Sequence, residues 1–303
     1  MADSERRRKL KKYRGLVLLL RDVGVAAALV ALVLFAMYAY TGQWPPLVVI
    51  ESNSMMHGED NLSHIGTIDT GDLVLVQEVD NVADVVTYTE GYVTGHRTYG
   101  DYGDVIVYKP NGNAGVTPII HRAMIYIEVN PDGISYRAES LRDLPAHKWS
   151  VSNPLDTWDN LTSTLYINNV GYAGSAVVID IDGLSMPLRS GFITKGDHNP
   201  TIDQPYRSSN IELDWIVGKA RGEIPWFGLL KLWSTHSLKS NAPENSVRDL
   251  WICIAVIVIS PILIDIGLTY REKSKIAGRK KGDEKAGEED SSGQKKNGEK
   301  DGG

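Results

Sequence analysis

The chain has one cysteine in 303 residues, Cys253, and it lies inside an apolar run. No intrachain disulfide can form, and the lone thiol does not reveal the redox compartment. Phenylalanine is scarce at 3, against 29 glycines and 13 prolines, which favours a turn-rich chain over a helical bundle. Basic residues are short in the middle: residues 41–249 hold 14 Lys/Arg against 26 Asp/Glu. That deficit excludes a nucleic-acid partner, whose phosphates require clustered cations. It suits a salt-rich exterior, where screening relieves self-repulsion, and equally an ordinary acidic surface. No amphipathic helix of three turns is evident before Gly228, and no internal repeat is present.

Long uncharged runs occur only near the ends. Val23–Tyr40 (VGVAAALVALVLFAMYAY) follows a basic stretch, Arg6–Arg14, that contains no acid. Eighteen residues are marginally enough to span a hydrocarbon core, which takes about twenty. The run exceeds the roughly 7–15 apolar residues of a cleaved signal sequence and offers no small-x-small cleavage site, which favours an uncleaved anchor. The second run, Leu250–Leu268, contains Pro261 and Asp265 and is followed by Arg271, Lys273 and Lys275. Basic flanks stay cytoplasmic by the positive-inside rule, which leaves the middle of the chain outside. The expected order is a basic cytoplasmic N-terminus (1–22), a first membrane helix (23–41), an exterior domain (42–249) and a second membrane helix (250–268). A charged tail (269–303), too poor in apolar residues to offset its ordering entropy, is expected to be disordered.

Between the two runs the periodicity predicts strands. Leu73–Val79, Val105–Tyr108 and Ile119–Val129 are rich in β-branched and aromatic residues, and turn signals separate them. Further strands are expected at Ser175–Asp182, Gly191–Thr194 and Trp215–Lys219. Residues 130–190, polar and turn-rich, read as an inserted β subdomain or lid, or as a plain surface excursion. Trp226, Phe227, Leu229, Leu230, Leu232 and Trp233 suit either an interfacial segment or core packing. NLS at Asn61 and NLT at Asn160 match glycosylation acceptors.

Three segments carry chemistry. VVIESNSMMHG places Ser54 after an extended run; its hydroxyl needs a base, and a tetrahedral oxyanion needs donors. The Ser54 backbone N–H and the Ser52 hydroxyl are candidates for that role, and Met55 and Met56 for lining a substrate groove. PIIHRAMIY sets His121, one of seven histidines, on a strand as a candidate general base. SGFITKGDHNPTIDQ supplies Asp197 and Asp203. A buried carboxylate on the imidazole N–H would fix its tautomer; Asp203 is the better candidate, because Asp197 in GDHN reads as bracing its own loop. No metal or cofactor is expected: His57 and His64 are too widely spaced for a tight zinc pair, with no cysteine nearby.

In this order the blocks Val48–Met56, Gly71–Val76, Gly103–Tyr108, Pro118–Arg122 and Phe192–Asp203, continuing into Ile216–Trp233, resemble a type I signal peptidase of the archaeal and endoplasmic-reticulum branch. The resemblance covers most of residues 45–233 outside the 130–190 insert. It implies a mainly β fold: an antiparallel β catalytic domain of signal-peptidase type, here with an inserted β subdomain and flanked by two transmembrane helices. It implies Ser54 as nucleophile, Ser52 assisting the oxyanion and His121 as general base. It also implies Asp203 as the orienting acid and Asp197 as the first acid of the same block. The bacterial branch carries a lysine at the His121 block; no lysine lies between Lys109 and Lys148. The implied activity is serine endopeptidase cleavage of signal peptides at a cell membrane, on its extracytoplasmic side. Secretory preproteins and the lipid bilayer are the implied partners, with translocation machinery a further candidate. Three departures stand out: His57 where the family often has proline, His198 where an asparagine is common, and long spacers. His198 is therefore a rival base. A membrane serine protease with other substrates, and a two-span surface protein with a non-catalytic β binding domain, are the alternative readings.

Overall fold

A computed structural model of the chain describes residues 2–58, 62–184, 186–237 and 242–297. Helix α1 (Ala2–Thr41) leads into strand β1 (Leu47–Val49) and then β2 (Leu73–Gln77). The short helix α2 (Tyr88–Thr94) is started by a capping box between Thr87 and Glu90 and stopped by Gly95 in the left-handed conformation. Strands β3 (Arg97–Thr98), β4 (Asp101–Tyr102), β5 (Val105–Tyr108) and β6 (Ile119–Val129) follow. The insert contributes β7 (Tyr136–Arg137), β8 (Trp149–Val151), β9 (Leu165–Val170) and β10 (Ser175–Ile179). The chain then runs through β11 (Gly191–Lys195), β12 (Ile216–Ile224), α3 (Gly228–Thr235) and α4 (Glu244–Asn297).

The main sheet has the order β1-β2-β12-β5-β6-β11, with β7 paired to β6, and its neighbours are antiparallel. Within residues 130–190 lies a separate antiparallel sheet, β10-β9-β8, while β7 joins the main sheet. The insert shares a core with the main sheet. Leu161, Leu165, Ile167 and Ile179 of the insert pack in one cluster with Met124, Ile125 and Ile193. A second cluster joins Ile50, Met55 and Ile68 to Val74, Val76 and Val105.

The sheet brings the candidate segments together. Ser54 follows β1, His121 stands on β6, and Asp197 and Asp203 lie beyond β11, which pairs with β6. β12 is longer than the expected Trp215–Lys219. It continues through Arg221 and Glu223 across a bulge between Ala220 and Gly222 and pairs with β2 on that stretch.

Among the described residues, Leu16–Thr41 and Glu244–Arg271 are long and apolar enough to cross a membrane, and neither apolar stretch is buried within the protein. From Arg248 on, the chain forms a unit of its own made of the rest of α4. α4 continues to Asn297, where composition predicts a disordered tail. In α3, Leu229 and Leu232 are buried whereas Leu230 and Trp233 are exposed, so the segment divides between core packing and surface. Asn160 is exposed; Asn61 lies outside the described residues.

Candidate active site

β6 alternates its side chains between two faces, and two neighbours on it reach two different acids. His121, fully buried, places Nδ1 2.5 Å from Asp203 Oδ2. That same oxygen accepts from Tyr108 Oη at 2.9 Å and Thr194 Oγ1 at 2.8 Å. The Asp203 backbone N–H donates to the Thr194 carbonyl at 2.9 Å, which fixes the acid against the end of β11. Burial pushes the Asp203 carboxyl up. The His121 imidazole and the Thr194 and Tyr108 hydroxyls outweigh it and hold the group below its ordinary value. An ionised carboxylate only accepts hydrogen bonds, so Nδ1 of His121 is the donor, which in a neutral imidazole leaves the lone pair on Nε2.

Nε2 faces Gly196. A Cβ placed on Gly196 would stand 2.8 Å from His121 Nε2, 2.7 Å from Asn199 Nδ2 and 2.6 Å from the Ser54 carbonyl oxygen. All three groups converge on one point that stays open because residue 196 has no side chain. Residues 54 and 121 are therefore neighbours in space. The Ser54 carbonyl accepts from the His198 backbone N–H at 3.0 Å, and Asn199 N–H donates to the Gly196 carbonyl at 2.9 Å. A tight turn at 196–199 thus pins the Ser54 loop. Ser52 Oγ lies 3.3 Å from Ser54 Oγ, so the two hydroxyls nominated for attack and for oxyanion assistance are adjacent.

Asp197 is occupied elsewhere. It takes Arg122 through both oxygens, at 2.8 and 2.6 Å, and His57 Nε2 at 2.8 Å. Burial raises this carboxyl, but the Arg122 charge and hydrogen bonds, with His57, hold it far below the usual range. His57 thus ties the Ser54 loop to the Asp197 loop. The His198 ring turns to Tyr172, with Nδ1 3.1 Å from its hydroxyl.

Met55 and Met56, expected to line a groove, are buried instead. Met55 packs with Ile50, Ile68 and Val105, and Met56 sets Sδ 3.9 Å from Thr70 Oγ1. They anchor the loop from below, because the chain turns at Asn53 (Met56 N–H to Asn53 carbonyl, 3.1 Å) and dips inward after Ser54. Gly196, Asn199, Tyr108 and Thr194 were not singled out from sequence. For the first two the only signal is their place in the GDHN turn.

Among the described residues, no group of three or more His, Cys, Asp or Glu side chains is arranged to hold a metal ion. A serine beside a buried His–Asp pair can support nucleophilic acyl transfer. No protein-family model matches the chain, and no curated protein matches it at a significant level.

Proposed function

We propose that this protein is a membrane-bound serine endopeptidase that removes signal peptides from secretory preproteins. The observation that carries the reading is the buried His121–Asp203 pair whose second imidazole nitrogen, 3.5 Å from Asn199 Nδ2, converges with the Ser54 loop on Gly196. Ser54 Oγ attacks the carbonyl of the signal peptide's last residue, and its proton passes to His121 Nε2. Collapse of the tetrahedral intermediate breaks the C–N bond as His121 returns that proton to the leaving amine. Water then repeats the sequence on the acyl-enzyme, freeing the acid and restoring Ser54. Asp203 holds the imidazole in the useful tautomer and stabilises the imidazolium.

The two apolar segments suit this substrate. Signal peptides are themselves apolar, so anchoring the enzyme in the same bilayer raises their effective concentration. The basic residues at Arg6–Arg14 and at Arg271, Lys273 and Lys275 favour a cytoplasmic location for both ends and an exterior β domain.

The test is cleavage of a model preprotein by membranes bearing the parent, Ser54→Ala or His121→Ala chain. The reading requires both variants to lose processing, with His198→Ala still active. Processing by His121→Ala would remove the proposed base. A folded parent that leaves every preprotein intact would favour a non-catalytic binding domain.

A further inference from the structure

The β9–β10 hairpin brings a side chain of the insert to the Ser54 loop. Its tip, Gly171–Gly174, turns through two glycines in the left-handed region, φ 72° and 63°, and presents Tyr172 between them. The Tyr172 ring stacks on His57 with centroids 4.8 Å apart and planes 28° from parallel. Its hydroxyl meets His198 Nδ1 at 3.1 Å. Each contact leads to Ser54 by a short route. His57 lies three residues after the nucleophile, and the His198 backbone N–H holds the Ser54 carbonyl. Tyr172 also borders a cavity of about 140 Å³ walled by Lys195, Asp197, Asn199 and Pro200.

We propose that Tyr172 is a positioning residue: from the insert, it clamps the Ser54 loop and the 196–200 turn in their working arrangement. The proposal rests on the protease reading above. Tyr172 is 48% exposed and takes no part in the buried cluster of the insert. A side chain so placed contributes little to folding, so an effect on turnover would report positioning. Residues 130–190 then form one wall of the reaction cleft.

The experiment measures kcat and KM on a model preprotein for the full-length parent, Tyr172→Phe and Tyr172→Leu, with Ser54→Ala as control. Loss of both contacts in Tyr172→Leu is expected to lower kcat about 10–100-fold, the scale of a small misplacement of reacting groups, with KM within about threefold. Tyr172→Phe keeps the stack but loses the hydroxyl contact with His198, so a smaller loss in kcat, about threefold to tenfold, is expected. Parental kcat in Tyr172→Leu, beside an inactive Ser54→Ala, overturns the proposal alone. Cleavage by Ser54→Ala instead removes the protease reading beneath it. Should Tyr172→Leu show no cooperative melting, Tyr172→Phe decides: a kcat lowered at least about threefold at parental melting temperature supports the clamp, and parental kcat overturns it.

Discussion

Arg122 and Asp197 are joined by a hydrogen bond to each carboxylate oxygen, and the remaining guanidinium nitrogen donates to the carbonyls of Thr98, Tyr102 and Gly103. The fork is fully used and buried, and it binds the 96–104 loop to the turn that holds Ser54. Removing one partner would strand a charge away from water. Asp197→Ala is expected to cost about 3–5 kcal/mol of stability. Denaturant unfolding of the detergent-solubilised protein measures it; an unchanged midpoint would exclude this bracing role.

Asp203 stands differently, because its Oδ2 meets the imidazole. Asp203→Asn keeps the volume but offers an amide that can force the opposite tautomer on His121. Turnover is expected to fall by about 10²–10⁴-fold, with far less loss of stability than in Asp197→Ala. Preprotein cleavage rates for Asp203→Asn and Asp197→Asn, each corrected for folded fraction, make the comparison. Equal rates would leave Asp203 without an orienting role.

Gly196 tests the convergence at the site directly. A methyl group there would lie under 3 Å from Ser54, His121 and Asn199 at once, and the Ser54 contact is to backbone. Gly196→Ala is therefore expected to push the nucleophile loop off the imidazole and lower kcat by about 100-fold. Parental kcat in this variant would mean that the loop has slack to spare.

A separate cluster predicts a pH dependence of stability. Burial, with the Asp69 and Glu223 carboxylates nearby, pushes Asp72 up to about 7, against the pull of the Trp226 and Asp69 backbone N–H groups. Its folded-state value is thus above its unfolded one, so the protonated acid is favoured on folding. That contribution is full below about pH 4, the ordinary carboxyl range, and is lost as pH rises through 7. Asp69 and Glu223 are raised in the same direction by burial and add to the slope. The melting temperature of the parent should fall from pH 5 to pH 8. Asp72→Asn should fall less steeply from a lower start, since its amide can accept only one of the two backbone N–H groups. A slope as steep as the parent's would dissociate Asp72 from the effect.

Much of the fold was legible. β5 and β6 have the expected bounds, because both are dense in β-branched and aromatic residues with turn signals at each end. β8 and β9 were hidden: WSV and LYINNV carry polar residues on their outward positions, and their apolar positions are covered by residues distant in sequence, from both the insert and the main sheet. The His121–Asp203 pairing could be anticipated from residue types and block order. The fate of Asp197 could not, because Arg122 and His57, which claim it, look like ordinary polar residues in one dimension. Met55 and Met56 were misplaced for a related reason: apolar residues beside a nucleophile suit a groove and a core alike, and only the turn at Asn53 decides.

The alternation along β6 ties chemistry to alignment. Ile106 on β5 stands opposite His121, and a one-residue slip of this pairing would exchange the two sides of the strand. A slip that carries Arg122 into the place of His121 would set the guanidinium toward Asp203 and turn the imidazole to the opposite face, at the place of Ile120. A misaligned molecule could neither close its buried ion pair in the native way nor activate a hydroxyl. Correct threading of this one strand and competence to react are thus a single event.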